Sequence, residues 1–535
     1  MPMISLLSRC SRARVSRMPF ALRQLSTLPN THIFRALRDH DPDSLAVVHS
    51  LSARSFTYGS LIADVVAAKD DLERKAAKAQ GQLAGERVAF LAENSYDYVV
   101  TLLAIFASDA IALPLSPSFP TVELKYILDN SQAKVLLATE KYADKAMDIL
   151  RQGLEREPLF DIRKKLMEGA ARESVTLEEL KKPSGGMMLY TSGTTNRPKG
   201  VLIPQSALAA QASSLLQAWK YSPDDRLLHL LPLHHIHGVV NAIVAPIVAG
   251  SSIEFMYPFN TDQIWRRLAA PFQSNTSTTP PSKITFLTAV PTIYNRLLNS
   301  FPNLPTETQT AAKEGISPQN LRLNISGSAA LPTPTKTSWS TLSNGNILLE
   351  RFGMTEVGMA ISCGLDPADR VDGSVGWPLP GVEARLVDTE TGEVIPPAPK
   401  STLKAVNAKA RSSYGARLFS GRKSVDIIKT GAEKVSALEV ERELLSLPQI
   451  TEAAVVGLPS EQWGQKVAAV VVLHPDAATS SRNGKSWGPM DMRRALKERL
   501  ASYKIPSEMK VLDAIPRNAM GKVNKKALIK EVFDV

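Results

Sequence analysis

From residue 55 the chain reads SFTYGSLIADVVAAKDDLERKAAKA, a turn that enters a helix with apolar residues at helical spacing and a charged face toward Lys78. ERVAFLAENSYDYVVTLLAIFASDAIALPL follows and, after a further helix, AKVLLAT. Short β-branched or apolar runs that alternate with helical stretches predict parallel strands joined by crossover helices. The alternation continues through RLLHLLPL, GSSIEFMY, KITFLTAVP and LRLNISGSAAL, with no fixed-period repeat. Two segments break it. Residues 396–417 are basic and rich in Pro, Ala and Ser, and 475–491 read as a surface loop. Between them, SVDIIKTGAEKVSALEVERELL and TEAAVVGLPSEQWGQKVAAVVVLHP form a compact α+β unit. The expectation is an α/β protein: an N-terminal body of parallel and mixed sheets with helices over 27–418, and a small, mobile α+β C-terminal domain over 419–535.

Length and composition narrow this picture. At about 150 residues per domain, 535 residues would make three or four units, although large α/β enzymes put most of a chain into one body. Hydrophobic residues at 44% and charged residues at 21% exclude wholesale disorder. Two cysteines, Cys10 and Cys363, exclude a disulfide framework and a Cys-rich zinc domain. No apolar run reaches the eighteen or so residues of a membrane span. The net charge of +11 is partly local, because Arg9, Arg12, Arg14, Arg17 and Arg23 precede the first acidic residue, Asp39. An Arg- and Ser-rich, acid-poor start has the character of a mitochondrial transit peptide over 1–26, and places the mature protein in the matrix. The charge left on the remainder is too dilute for a nucleic-acid partner.

The densest chemical signal is YTSGTTNRPKGV, residues 190–201. Thr191, Ser192, Gly193, Thr194 and Thr195 follow the apolar MMLY, and the run ends in Asn196, Arg197, Pro198 and Lys199. Small hydroxyls and flexible backbone can surround phosphate oxygens with short donors, while the lysine adds a point charge. It is not a Walker A loop, because Gly200 follows Lys199 where Ser or Thr would be needed.

This segment resembles the phosphate-binding loop of the acyl- and aryl-CoA synthetase superfamily of adenylate-forming enzymes. LPLHHIHGVVNA (231–242), ISGSAALP (325–332), RFGMTEVGMA (351–360), GRKSVDIIKTGAEKVSALEVE (421–441) and IPRNAMGKVNKKAL (515–528) follow in that family's order. The wording is most similar to the mitochondrial members that activate malonate. The resemblance implies an acid–CoA ligase that uses ATP, Mg²⁺ and coenzyme A on a small carboxylic acid, through an acyl-adenylate. It implies that Thr191–Lys199 hold the β- and γ-phosphates, that Thr355 meets the α-phosphate, and that Glu356 ligates Mg²⁺. Gly327, Ser328 and Ala329 would lie along the adenine, with Phe352 and Gly353 nearby, and Arg422 would meet the ribose and phosphate. Lys522 would bridge the carboxylate and α-phosphate during adenylation. Lys429 would approach the adenylate once the C-terminal domain has swivelled for thioester formation, with Ser424 near the hinge.

Four of the eight histidines fall within His229–His237. A zinc reading lacks a carboxylate or cysteine partner in the run. Acyl-pocket and gating roles fit His235 first and His237 second, with at least one of the four satisfied structurally. Arg351 immediately precedes FGMTE, a position that by resemblance lines the acyl pocket. A buried guanidinium there would demand an anion, and the second carboxylate of malonate or methylmalonate fits it bidentately. The alternative is an internal pair with Glu350 or another acid, which leaves a ligase for acetate or another short acid open.

The sequence also departs from the family. The family's Thr-Gly-Asp triplet, whose aspartate binds ribose hydroxyls, is absent, and the basic 396–417 segment stands in its place. Several tens of residues are missing there by family proportions, as an altered splice form or a mispredicted intron would produce. A catalytically impaired member that binds nucleotide without turnover is the corresponding alternative. Asn196 replaces a glycine of the phosphate loop, and Ala432-Glu433 stands where the family prefers Gly-Tyr near the pantetheine channel.

Overall fold

The computed structural model describes residues 26–79, 81–163, 175–191, 198–273, 282–328, 331, 333–372, 374–387, 394–395, 427–431, 433–474, 487–516, 523 and 525–533. Residues 1–25 of the expected leader, the 396–417 segment and the expected boundary at 418/419 lie outside them. The first described residue, Ser26, opens a strand, Ser26–Pro29, paired in parallel with Val175–Glu178.

Two sheets build the body. The first has six strands in the order Lys199–Pro204, Gly186–Thr191, Ile111–Pro114, Arg87–Leu91, Val135–Thr139, Leu159–Arg163. All its pairings are parallel except the hairpin formed by its first two strands. The second has nine strands, with Leu45–His49, Ser252–Phe255, Arg226–His229, Phe286–Ala289, Leu323–Ser326 and Leu349–Met354 parallel in its middle. Antiparallel strands close both rims.

Parallel strands covered on both faces read as near-continuous apolar runs, as Val88–Leu91, Ile111–Pro114 and Val135–Ala138 do. Val88 and Phe90 point into the core shared with the nine-stranded sheet, while Ala89 and Leu91 point to the outer layer. The helix Tyr96–Ala107 buries every residue it has, because it lies in the layer shared by both sheets. The predicted helix after SFT runs over Tyr58–Ala79 and packs against it.

The C-terminal unit is α+β, as the sequence implied. Ile450–Ser460 and Gly464–Leu473 form a long antiparallel pair, flanked by the hairpin Ile427–Thr430/Glu433–Ser436 and by Glu508–Val511. Period-two alternation sends Val455, Val467, Ala469 and Val471 to one core and Ala454, Val456, Leu458, Ala468 and Val470 to the other. One expectation is corrected at its edge. Trp487 is buried and a helix starts at Pro489, so the loop over 475–491 ends earlier than its polar composition suggested. Proline at the first helical position, after Gly488 as N-cap, is a start signal rather than a loop signal.

Candidate active site

The site lies where the C-terminal edges of the central strands meet the C-terminal hairpin, the usual place for ligands in an open α/β sheet. The phosphate-loop candidates bridge the hairpin of the six-stranded sheet. Thr191 ends one strand and pairs in register with Lys199, which opens the next and is exposed. Pro198 offers its carbonyl to Tyr126 Oη at 3.1 Å. Ser192, Gly193, Thr194, Thr195, Asn196 and Arg197 lie outside the described residues, as do Ala329, Arg422 and Lys522.

Thr355 and Glu356 occupy the turn between Leu349–Met354 and Gly358–Ser362, and the Glu356 carboxylate is exposed. A bulge between Phe352 and Gly353 shifts the register just before them. An open carboxylate beside a hydroxyl is a hard-oxygen donor set that suits Mg²⁺.

Arg351, His237 and Ser328 converge. His237 opens a π-helix, His237–Val244, a rare geometry that occurs mostly at functional sites. The chain can turn into it only because residue 238 is glycine, since a Cβ there would lie 2.1 Å from the Pro232 carbonyl oxygen. His237 Nε2 is 2.6 Å from Thr288 Oγ1, and its Nδ1 is 3.3 Å from Ser328 Oγ. Burial, then the nearby Arg351 charge, pushes the imidazole well below its usual range, so His237 is a neutral hydrogen-bonding group. Arg351 lies against the Gly327 backbone, where a Cβ would come within 2.5 Å of its Cζ. Its side chain is 3% exposed, and neither Nε nor Nη2 has a hydrogen-bond partner. Glu350, the internal partner considered from sequence, is engaged elsewhere: Lys336 Nζ donates to its Oε1 at 2.7 Å. Burial without a counter-ion pushes the guanidinium down from its ordinary value, the sign of a cation that lacks its anion.

The histidine run divides three ways. His229 is the structural one, with Nε2 2.8 Å from the Gly238 carbonyl. His237 is the one that meets Thr288 and Ser328 beside Arg351. His234 and His235 face a residue that sequence reasoning had noted only as a departure, Glu433. Its Oε2 lies 2.8 Å from His235 Nε2 and its Oε1 3.8 Å from His234 Nε2. Burial alone would raise the Glu433 carboxyl, but His235, then His234 and Lys504, outweigh it and hold the group down to about 2.

Glu433 belongs to the C-terminal hairpin, so this contact inserts that hairpin into the cleft. Lys429 and Lys434 are register partners on it. Lys434, which motif reasoning passed over, is open to the water of the cleft yet surrounded by protein. Its ammonium is pushed down by desolvation and by Lys429, with Glu356 opposing and Arg351 adding. A second contact closes the interface: Lys504 Nζ donates to Glu123 Oε1 at 2.6 Å and to Glu439 Oε1 at 2.9 Å. No motif signals Lys504. A lysine in SYKIP reads as solvated, and only the fold shows it 2% exposed.

A model of the AMP-binding enzyme family matches residues 34–401. The chain belongs to this family. A model of the AMP-binding enzyme C-terminal domain matches 439–522. Among relatives of this AMP-binding enzyme, a protein of Gibberella moniliformis named CoA ligase is 48% identical, with 95% of each chain covered. That alignment spans 583 positions, more than the 535 residues of this chain, so the relative carries residues that are missing here. A mitochondrial malonate–CoA ligase of Homo sapiens is 36% identical over 89% of this chain and 88% of its own. A solved malonyl-CoA ligase, in a ternary product complex with methylmalonyl-CoA and AMP, superposes with a TM-score of 0.67 at 29% identity. It covers 90% of this chain and all of that one.

Proposed function

We propose that the protein is a malonate–CoA ligase of the mitochondrial matrix, an AMP-forming acid–thiol ligase that works in two steps within one cleft. The observation that carries the substrate assignment is Arg351, buried with Nε and Nη2 unpartnered while Glu350 is taken by Lys336. A pocket of this kind rejects a monocarboxylate, which would leave the guanidinium desolvated and unpaired, and accepts a diacid whose remote carboxylate closes the pair. His237 and Ser328 stand beside it to fix the diacid's orientation. The names of the human relative and of the solved ligase point to the same acid. Matrix localisation rests on the Arg-rich start and on the relative's mitochondrial name.

In the first step a carboxylate oxygen of malonate attacks the α-phosphorus of ATP. The bond to the bridging oxygen breaks, and pyrophosphate leaves. The residues assigned to this step by resemblance are the loop Thr191–Lys199, Thr355 and Lys522. Glu356 would hold Mg²⁺, which when bound neutralises phosphate charge. In the second step the coenzyme A thiolate attacks the acyl carbon, and AMP departs with the bonding pair. The described arrangement suits this second step, because the hairpin that carries Lys429, Glu433 and Lys434 lies in the cleft. Arg422 is assigned to the ribose and phosphate.

The alternative of a member that binds nucleotide without turnover has one specific observation behind it, the missing Thr-Gly-Asp triplet. Malonate-dependent ATP–pyrophosphate exchange on residues 26–535, with acetate and methylmalonate alongside, tests both readings. Exchange selective for the diacids supports the ligase. Folded protein that binds ATP but exchanges with no acid supports the inactive member.

A further inference from the structure

We propose that His234, His235 and Glu433 form a binding site for a divalent transition-metal ion of the zinc class, with ligands from both domains, so that the ion clamps the C-terminal domain onto the body.

The ligand atoms are already gathered. One atom from each of the three residues lies within 4.8 Å of the other two. The His235–Glu433 and His234–Glu433 separations are 2.8 and 3.8 Å. Metal–ligand bonds of about 2.0–2.2 Å set ligand atoms roughly 3.3 Å apart in a tetrahedral site. The two observed separations end on different oxygens of the Glu433 carboxylate, and the three gathered ligand atoms lie within 4.8 Å of one another, so closure needs shifts of up to about an ångström. His234 Nε2 is sealed from solvent and has no hydrogen-bond partner, a buried lone pair or N–H that the protein alone leaves unmet.

The donor chemistry selects the ion. Two imidazoles and one carboxylate suit Zn²⁺ and its neighbours, whereas Mg²⁺ and Ca²⁺ demand oxygen shells. This site is therefore separate from the oxygen site at Glu356. The surrounding charge also favours a cation. Glu123, Glu439 and Glu433 gather around the single ammonium of Lys504. The Phe119 ring walls the other side, 5.3 Å from His234. Three protein ligands leave the fourth position to solvent, on the side where His235 is one-third exposed.

The clamp follows from sequence distance. His235 and Glu433 are 198 residues apart, one on the body and one on the C-terminal hairpin. An ion that binds only when they meet stabilises the meeting. Its effect on turnover rests on the two-step reading above; binding itself does not. Zn²⁺ titrated into the full-length protein against a chromophoric chelator should bind one equivalent that millimolar Mg²⁺ does not displace. Co²⁺ in its place should show the intense visible bands of tetrahedral N/O coordination. Glu433→Gln and His235→Ala should each weaken Zn²⁺ by at least about tenfold. Zn²⁺ should slow hydrogen exchange at Ile427–Thr430 and Glu433–Ser436 in the parent but not in Glu433→Gln. The site is overturned by absent binding, by an octahedral Co²⁺ spectrum in the parent, or by variants that bind as well as the parent. Binding without slowed exchange overturns the clamp. Neither readout requires turnover, so loss of the ligase reading would leave this test intact.

Discussion

Replacing Arg351 with methionine separates the roles that a buried cation could have. The guanidinium is 3% exposed, and two of its nitrogens have no hydrogen-bond partner. If it receives the remote carboxylate of malonate, Arg351→Met removes charge-assisted hydrogen bonds that contribute about 1.5–3 kcal/mol each. Loss of even one lowers kcat/KM for malonate roughly 10- to 150-fold. Turnover of propionate, which has nothing to offer the guanidinium, should hold or improve. Acid-dependent ATP–pyrophosphate exchange with both acids reads this directly. The melting temperature without acid is an independent check. Removing one partner of a buried ion pair costs about 3–5 kcal/mol, whereas removing a buried charge that has no partner relieves desolvation. Arg351→Met should therefore melt at or above the parent in the absence of acid, and malonate should raise the melting temperature of the parent alone. Equal losses on malonate and propionate, or an acid-free variant that melts well below the parent, would refute the argument. Either result would mean that Arg351 serves the pocket's structure.

Three further outcomes are expected. Lys522→Ala should abolish pyrophosphate exchange while ATP binding, followed by calorimetry, stays measurable; equal exchange by variant and parent removes Lys522 from the chemistry. Gly238→Ala should destabilise the body by at least about 2 kcal/mol in urea unfolding, because the new Cβ would meet the Pro232 carbonyl oxygen at 2.1 Å. Full stability in that variant would mean that the π-helix entrance can relax. Burial holds His229 at about 4 against an ordinary 6.5, so below 6.5 the unfolded chain binds a proton that the folded one refuses. Stability should thus fall as the pH drops from 6.5 toward 4, by about 1.5 kcal/mol between 6.5 and 5 from this residue alone. A flat unfolding free energy over pH 7–5 would contradict a neutral buried His229.

What was legible in the sequence follows a physical division. Strands and helices were legible because burial imposes a period: VAFL must be apolar throughout if Val88 and Phe90 face one layer and Ala89 and Leu91 the other. The residues proposed for the acyl pocket stood out because each sits in a dense local motif, with Arg351 before FGMTE and His237 within HHIHG. Partnership was not legible. Nothing in ERFGM says that Glu350 turns to Lys336 and leaves Arg351 without an acid, since that depends on which face of a strand meets the helix Thr333–Leu342.

The same limit explains the histidine run, where local reading reached the wrong ground for setting a metal aside. A carboxylate was sought within HLLPLHHIH because ligand motifs usually repeat at short spacing. The carboxylate that meets these imidazoles comes from the C-terminal hairpin, at a position where the sequence departs from the family. If Glu433 were only a poor substitute for an aromatic residue, folding would leave it in solvent, because an unpaired buried carboxylate is costly. Instead its carboxylate is 15% exposed and packed against two histidines, with the Lys504 charge nearby, and held down to about 2. That environment fits a group selected to be ionised where it stands. On the proposed two-step reading the contact belongs to one arrangement of the domains, so any property it confers, metal-bound or not, would act on the balance between the two steps rather than on the affinity of either substrate.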